Sequence, residues 1–133
     1  MMTESKTLPY KLRQHVNLNG DKTDYEQDLQ VSIIEKNDVY LRYIEALDEH
    51  EIKVTVRLAN DHVKLQRRGI INMNFHFEEG LKTDTFYESP AGKHHFQVYT
   101  HRLLQSVDTL IIEYDLYQSG ELLGNYKYKL ERV

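Results

Sequence analysis

Side-chain polarity alternates with a period of two along almost the whole chain, and that period restricts what the chain can build. Successive residues of a strand face opposite sides of a sheet, so a segment apolar in one parity has one face to bury. Tyr10, Leu12, Gln14, Val16 and Leu18 form such a face against Lys11, Arg13, His15 and Asn17. Tyr25, Gln27, Leu29, Val31 and Ile33 repeat it, and Ile52, Val54, Val56 and Leu58 alternate with Lys53, Thr55 and Arg57. Val63, Leu65, Arg67, Gly69, Ile71, Met73, Phe75 and Phe77 share one parity over a stretch too long for an average strand. A glycine inside a strand often marks a bulge or sharp curve, so the stretch reads as one strand bent at Gly69 or as two short strands. His94, Phe96, Val98, Thr100, Arg102 and Leu104 continue the pattern, followed by Leu110, Ile112, Tyr114 and Leu116, then Leu122, Gly124, Tyr126, Tyr128 and Leu130.

Turn residues punctuate these runs, among them Asn19-Gly20, Asn60-Asp61, Glu79-Gly80 and Ser119-Gly120. Asn-Gly supplies the positive φ angles of a tight hairpin. No segment carries an i, i+3, i+4, i+7 apolar stripe of helical length, and the links are short. Strands in series with short links form an antiparallel meander. With no helices to cover it, the apolar face must bury against itself, and closure into a barrel does this while removing exposed edges. The expected fold is therefore all-β, a closed meander barrel of about eight to ten strands. A two-sheet sandwich competes, but it needs crossing links longer than those present. Residues 1–133 form a single domain, with residues 1–7 expected as a flexible arm.

A chain of 133 residues is long enough to bury a core without staples. It contains no cysteine, which removes disulfides, thiolate metal ligands and thiol nucleophiles. The start lacks a signal-like apolar stretch and no run reaches membrane-spanning length, so the chain is expected in the cytoplasm. A formal net charge of −4, with both signs mixed, argues against nucleic acid, which demands a basic surface. The 10 tyrosines suit a pleated, half-buried surface where the ring packs and the hydroxyl finds a partner.

Several runs carry a family likeness. Tyr40-Leu41-Arg42-Tyr43, Arg67-Arg68-Gly69, Phe77-Glu78-Glu79-Gly80, Tyr87-Glu88-Ser89-Pro90-Ala91-Gly92 and Tyr114-Asp115-Leu116-Tyr117 are followed by Gly120, Gly124 and Tyr126. In that order and spacing, across nearly the whole chain, they resemble the YwiB-like family of bacterial proteins. The resemblance implies a calycin-like β-barrel, the architecture of lipocalins, fatty-acid-binding proteins and avidins. It brings no activity, cofactor or catalytic residue. The chain also departs from better-known calycins. It has no tryptophan for the lipocalin glycine-x-tryptophan signature, and Tyr126-Lys127-Tyr128 stands where fatty-acid binders place an arginine-x-tyrosine pair.

The informative residues are polar ones in the apolar parity. Arg67, Arg102 and Glu45 fall there, with Gln14 and the tyrosines Tyr43, Tyr114 and Tyr126. An inward arginine needs an anion, a hydrogen-bond network or water. Arg67 and Arg102 are thus expected as anchors for a small hydrophobic or anionic ligand. The plainer reading is that Glu45 neutralises one of them, or that they sit at the barrel mouth. No metal site is expected. His94 and His95 face opposite sides, His95 and His101 lie about 20 Å apart at strand rise, and His62 and His76 have no partner at ligand spacing nearby in sequence, which leaves only a cross-strand pairing of His76 with another histidine open. No nucleophile elbow or phosphate-cradling loop occurs.

Three functions fit these residues. The first is a noncatalytic cytoplasmic binder without a cofactor, holding a small molecule inside the barrel. The second is a barrel filled with side chains that acts as an interaction or homodimer module. The third is an enzyme using Arg67, Glu45 and nearby tyrosines without a local motif. No nucleic-acid or membrane partner is expected in any of them.

Overall fold

A computed structural model describes residues 5–133, and every regular element in it is a strand. The ten strands are β1 (Ser5–Leu18), β2 (Asp21–Glu35), β3 (Val39–Leu47), β4 (His50–Leu58), β5 (Val63–Arg68), β6 (Asn72–Phe77), β7 (Lys82–Ser89), β8 (Gly92–Gln105), β9 (Thr109–Gln118) and β10 (Glu121–Arg132). Each pairs antiparallel with its sequence neighbours, and β1 pairs with β10 to close the barrel. No Greek-key link and no helix occurs among the described residues, so the meander reading holds and the sandwich falls. The arm expected over residues 1–7 is corrected at its last three positions. Ser5, Lys6 and Thr7 belong to β1 and pair with Ile34, Ile33 and Ser32, while residues 1–4 lie outside the described residues.

Local chemistry sets the turns. Asn19 and Gly20 both have positive φ (53° and 90°), as do Ser119 and Gly120 (51° and 81°). Two such residues in a two-residue link give the twist that an antiparallel hairpin needs, and only small or amide residues tolerate it cheaply. At Gly69 the structure chooses two short strands. Gly69, Ile70 and Ile71 link β5 to β6, with Arg68 paired to Asn72. Gly69 serves close approach here. A Cβ on it would lie 2.9 Å from the Glu51 carbonyl oxygen and 2.9 Å from Ile52 Cδ1. The register shifts fall elsewhere, between Thr100 and Arg102 on β8 and between Leu122 and Gly124 on β10.

The interior divides into two halves. Towards the end bearing the β2–β3, β4–β5, β6–β7 and β8–β9 links, the lumen is filled by Tyr10, Val31, Ile33, Leu41, Val56, Val63, Phe77, Leu110, Ile112 and Leu130, all buried. Burying side chains of this size stabilises by about 1.5–3 kcal/mol each. Two polar contacts tie the links down. The Tyr10 hydroxyl donates to the Val107 carbonyl at 2.5 Å, and Gln105 Nε2 donates to the Ala59 carbonyl at 2.7 Å. The second ties the end of β8 to the β4–β5 link, which are not neighbours in the sheet, so it spans the barrel end. At the other end Leu18, Tyr25 and Leu47, in the same parity as the core, are exposed. One end is closed and the other is a mouth.

Candidate functional site

The inward positions nearer the mouth are where the polar exceptions to the pattern fall. Arg67 is the last inward residue of β5, and Glu45 lies one inward step above Tyr43 on β3. In the register Arg67 faces Val54 on β4, and Val54 faces Tyr43 on β3. Arg67 and Glu45 therefore reach towards one another across β4, over short aliphatic side chains that leave them room. Arg67 Nη2 and a Glu45 oxygen are 3.2 Å apart, with the two side chains 22% and 17% exposed. Arg67 Nε is buried and finds no acceptor among the described residues. Its Nη1 makes a weak contact to Met73 Sδ at 3.9 Å.

Aromatic rings line the rest. Tyr114 on β9 stacks on Tyr126 of β10, centroids 5.0 Å apart and planes 4° apart. It also meets Phe77 of β6 at 4.8 Å and Phe75 at 6.1 Å, contacts that cross the lumen. The Tyr43 and Tyr128 hydroxyls are 2.7 Å apart and bond to each other. Burial pushes the Tyr43, Tyr114 and Tyr128 hydroxyls well above the ordinary tyrosine range, and Tyr126 is raised for the same reason. These groups are neutral donors and acceptors near pH 7.

Together these residues enclose a cavity of about 320 Å³, lined by Gln14, Tyr43, Glu45, Leu65, Arg67, Met73, Phe75, Phe77, Tyr87, Phe96, Tyr114, Leu116, Tyr126 and Tyr128. A second hollow of about 500 Å³ shares Gln14, Glu45, Arg67 and Tyr126 with it and adds Leu18, Tyr25 and Leu47 at the rim. The cavity thus continues into the mouth, with the ion pair at the junction. The barrel is filled in its closed half and hollow in the other. A wider depression of about 650 Å³ lies on the outer wall among His15, Asp24, His101, Glu113, Asp115 and Lys127. It is more open, and its groups already pair among themselves as His15–Asp24, His101–Asp115 and Lys127–Glu113. Enclosure favours the interior cavity as the site.

Five of the six expected site residues meet there: Arg67, Glu45, Tyr43, Tyr114 and Tyr126. Arg102 does not, and the expectation of two inward guanidinium groups is corrected. The register shift after Thr100 reverses the parity of β8. Thr100 still faces Tyr114, but Arg102 faces Glu113 on the outer wall and binds it at 3.2 Å. Leu104 turns outward with it and Leu103 packs on the core instead. The pattern also under-reported the aromatic lining. Tyr128, Phe75 and Phe77 stood in the inward parity as apolar filler, with no signal that they would bound a hollow.

The cross-strand pairing left open for His76 is realised with His62. His62 and His76, without partners by sequence spacing, are brought together by the β5–β6 hairpin. Their rings stack with centroids 4.5 Å apart and planes 11° apart.

Comparison with known proteins agrees with the fold. The family model described as a domain of unknown function (DUF1934) matches residues 11–130. The uncharacterized β-barrel protein YwiB of Bacillus subtilis (strain 168) is 27% identical over 92 residues, which is 66% of this chain and 65% of that protein, so the match spans just under two thirds of the relative's length. The crystal structure of the ywiB protein from Bacillus subtilis superposes with a TM-score of 0.84 at 22% identity, covering 98% of this chain and 95% of that one. With a family model matched across most of its length and the same barrel in a solved relative, this chain belongs to the DUF1934 family of YwiB-like β-barrel proteins.

Proposed function

We propose that the protein is a noncatalytic cytoplasmic binder of a small, largely apolar molecule carrying one hydrogen-bond acceptor, taken into the barrel through the mouth. The observation that carries this reading is the cavity of about 320 Å³ with the Arg67–Glu45 pair at its entrance. At about 30 Å³ per heavy atom, by analogy with water, that space suits roughly ten heavy atoms. Rings dominate its walls, which favours an aromatic or compact aliphatic body. Glu45 already offsets the charge of Arg67, so the site does not demand an anion. The buried Nε–H has no acceptor, and a small turn of the guanidinium toward the cavity would offer it to a carbonyl, hydroxyl or carboxylate oxygen. The neutral tyrosines and the engaged Glu45 leave no free base or nucleophile in the cavity, which supports binding over catalysis.

The test uses three matched probes of one shape: naphthalene, 2-naphthol and 2-naphthoate. A molecule that binds only the native state raises the melting temperature by mass action. The naphthol is expected to raise it most, and Leu116→Trp, which fills the cavity, to abolish the response. The reading is overturned if no probe shifts the melt, or if the filled variant responds as the parent does.

A further inference from the structure

Outside the barrel, near its closed end, the β5–β6 hairpin assembles a second group of residues unconnected with the cavity. Val63 pairs with Phe77 and Lys64 with His76, so His62, one residue before β5, falls level with Glu78, one residue after β6. His62, Lys64, His76 and Glu78 are even-numbered positions in a hairpin whose odd positions face the core, and they share the outer wall. The nitrogen and oxygen ligand atoms of His62, His76 and Glu78 lie within 4.8 Å of one another. His76 Nε2 and Glu78 Oε1 are 3.2 Å apart. Ligands at zinc–donor bonds of about 2.0–2.1 Å in a tetrahedron stand about 3.3 Å apart, so that edge already has the right length. The His62 ligand atom lies within 4.8 Å of the other two and would have to close in to complete the face.

Asp61 supplies the outer support that metal-binding imidazoles use. Its carboxylate lies 2.7 Å from His62 Nδ1. A proton held on Nδ1 for that bond leaves Nε2 with its lone pair free, as a metal requires. The charges suit a dication. Asp61 and Glu78 bring two negative charges against one positive from Lys64. The three ligands are 21%, 35% and 31% exposed, enough to be held by the fold yet reachable by an ion and a water. Two imidazoles and one carboxylate select zinc and its neighbours over magnesium or calcium, which prefer all-oxygen shells.

We propose that His62, His76 and Glu78 form a divalent-metal site, zinc being the ion their donor set fits best, with Asp61 orienting His62 and a water as fourth ligand. The bound ion would clip the β4–β5 link to the end of β6 at the closed end of the barrel.

Titration calorimetry of the chelator-stripped full chain with zinc chloride tests this, with magnesium chloride as the contrast. One equivalent of zinc is expected, of micromolar or tighter affinity, together with a higher melting temperature and no response to magnesium. His76→Gln and Glu78→Gln should each weaken binding by about tenfold or more, and Asp61→Asn by about 10–100-fold as an outer-support residue. His94→Gln/His95→Gln, remote from the site, should leave it unchanged. The two single ligand variants guard against one failing to fold, which circular dichroism reports. The site is overturned if zinc does not bind, if magnesium binds as well, or if the folded His76 and Glu78 variants bind zinc like the parent.

Discussion

The Arg67 guanidinium and the Glu45 carboxylate meet 3.2 Å apart across β4, above the aliphatic side chain of Val54. Each is mostly withdrawn from water, so each depends on the other. Removing one partner of such a pair leaves a charge without compensation, whereas removing both can be nearly neutral. Glu45→Leu alone should therefore destabilise by about 1–3 kcal/mol, below the cost of a fully buried pair because water reaches part of both groups. Arg67→Met/Glu45→Leu should return close to the parent. Urea denaturation of the two variants and the parent measures this, and a double variant as unstable as Glu45→Leu would show that the pair is not coupled.

Arg102 gives the opposite expectation. Its partner Glu113 lies on the outer wall, and exposed pairs contribute about 0–1 kcal/mol. Arg102→Ala should leave the urea midpoint nearly unchanged and the 2-naphthol response intact. A lost response would return Arg102 to the binding site despite its outward position.

These two arginines show how far the pattern could be read. Period-two alternation with short links dictated the meander, its closure and the inward parity of Tyr43, Glu45, Arg67, Tyr114 and Tyr126, because a one-residue slip would turn every core side chain to solvent. Arg102 failed because one extra residue at His101 reverses the parity beyond it, and a bulge leaves no compositional mark in Thr100-His101-Arg102. The hollow was illegible for a different reason. Whether Phe75, Phe77 and Tyr114 fill the lumen or bound a cavity depends on ring orientations set by the whole barrel, not by local sequence. The His62–His76 stack was legible in principle. Once Gly69-Ile70-Ile71 is placed as the hairpin link, residues whose numbers sum to 140 face each other, which sets Lys64 opposite His76 and His62 opposite Glu78.

Two glycines should differ in what they tolerate. A Cβ on Gly124 would land on the Asn17 carbonyl oxygen of the neighbouring strand and press Leu18 Cδ2 at 2.8 Å. A Cβ on Gly69 would meet the Glu51 carbonyl oxygen and the movable end of Ile52. Overpacking of this kind costs about 1–3 kcal/mol, more where backbone is the obstacle. Gly124→Ala should lower the melting temperature more than Gly69→Ala, and Gly69→Val should fall below Gly69→Ala with probe binding at saturation retained. Equal melting curves for Gly124→Ala and the parent would contradict the packing of β10 on β1.

The last expectation concerns alkaline pH. Tyr43 and Tyr128 are buried and Tyr114 is partly buried against the core, and loss of water raises each hydroxyl above its unfolded value of about 10. Below that value both states hold the protons and stability is at its full level. Above it the unfolded chain releases protons that the folded barrel retains, so each added pH unit favours unfolding. Each tyrosine contributes up to about 1.4 kcal/mol per pH unit, and the three together up to about 4. Tyr43→Phe should behave in two ways at once. Near pH 7 it should lose about 1 kcal/mol, because the Tyr128 hydroxyl forfeits the partner now 2.7 Å away. Above pH 10 its stability should fall less steeply than the parent's, because one titrating group is gone. Urea midpoints taken from about pH 7 to 11 test both. A parent midpoint that stays level to the top of that range, or a variant with an unchanged alkaline slope, would mean that these hydroxyls are not held neutral by the fold.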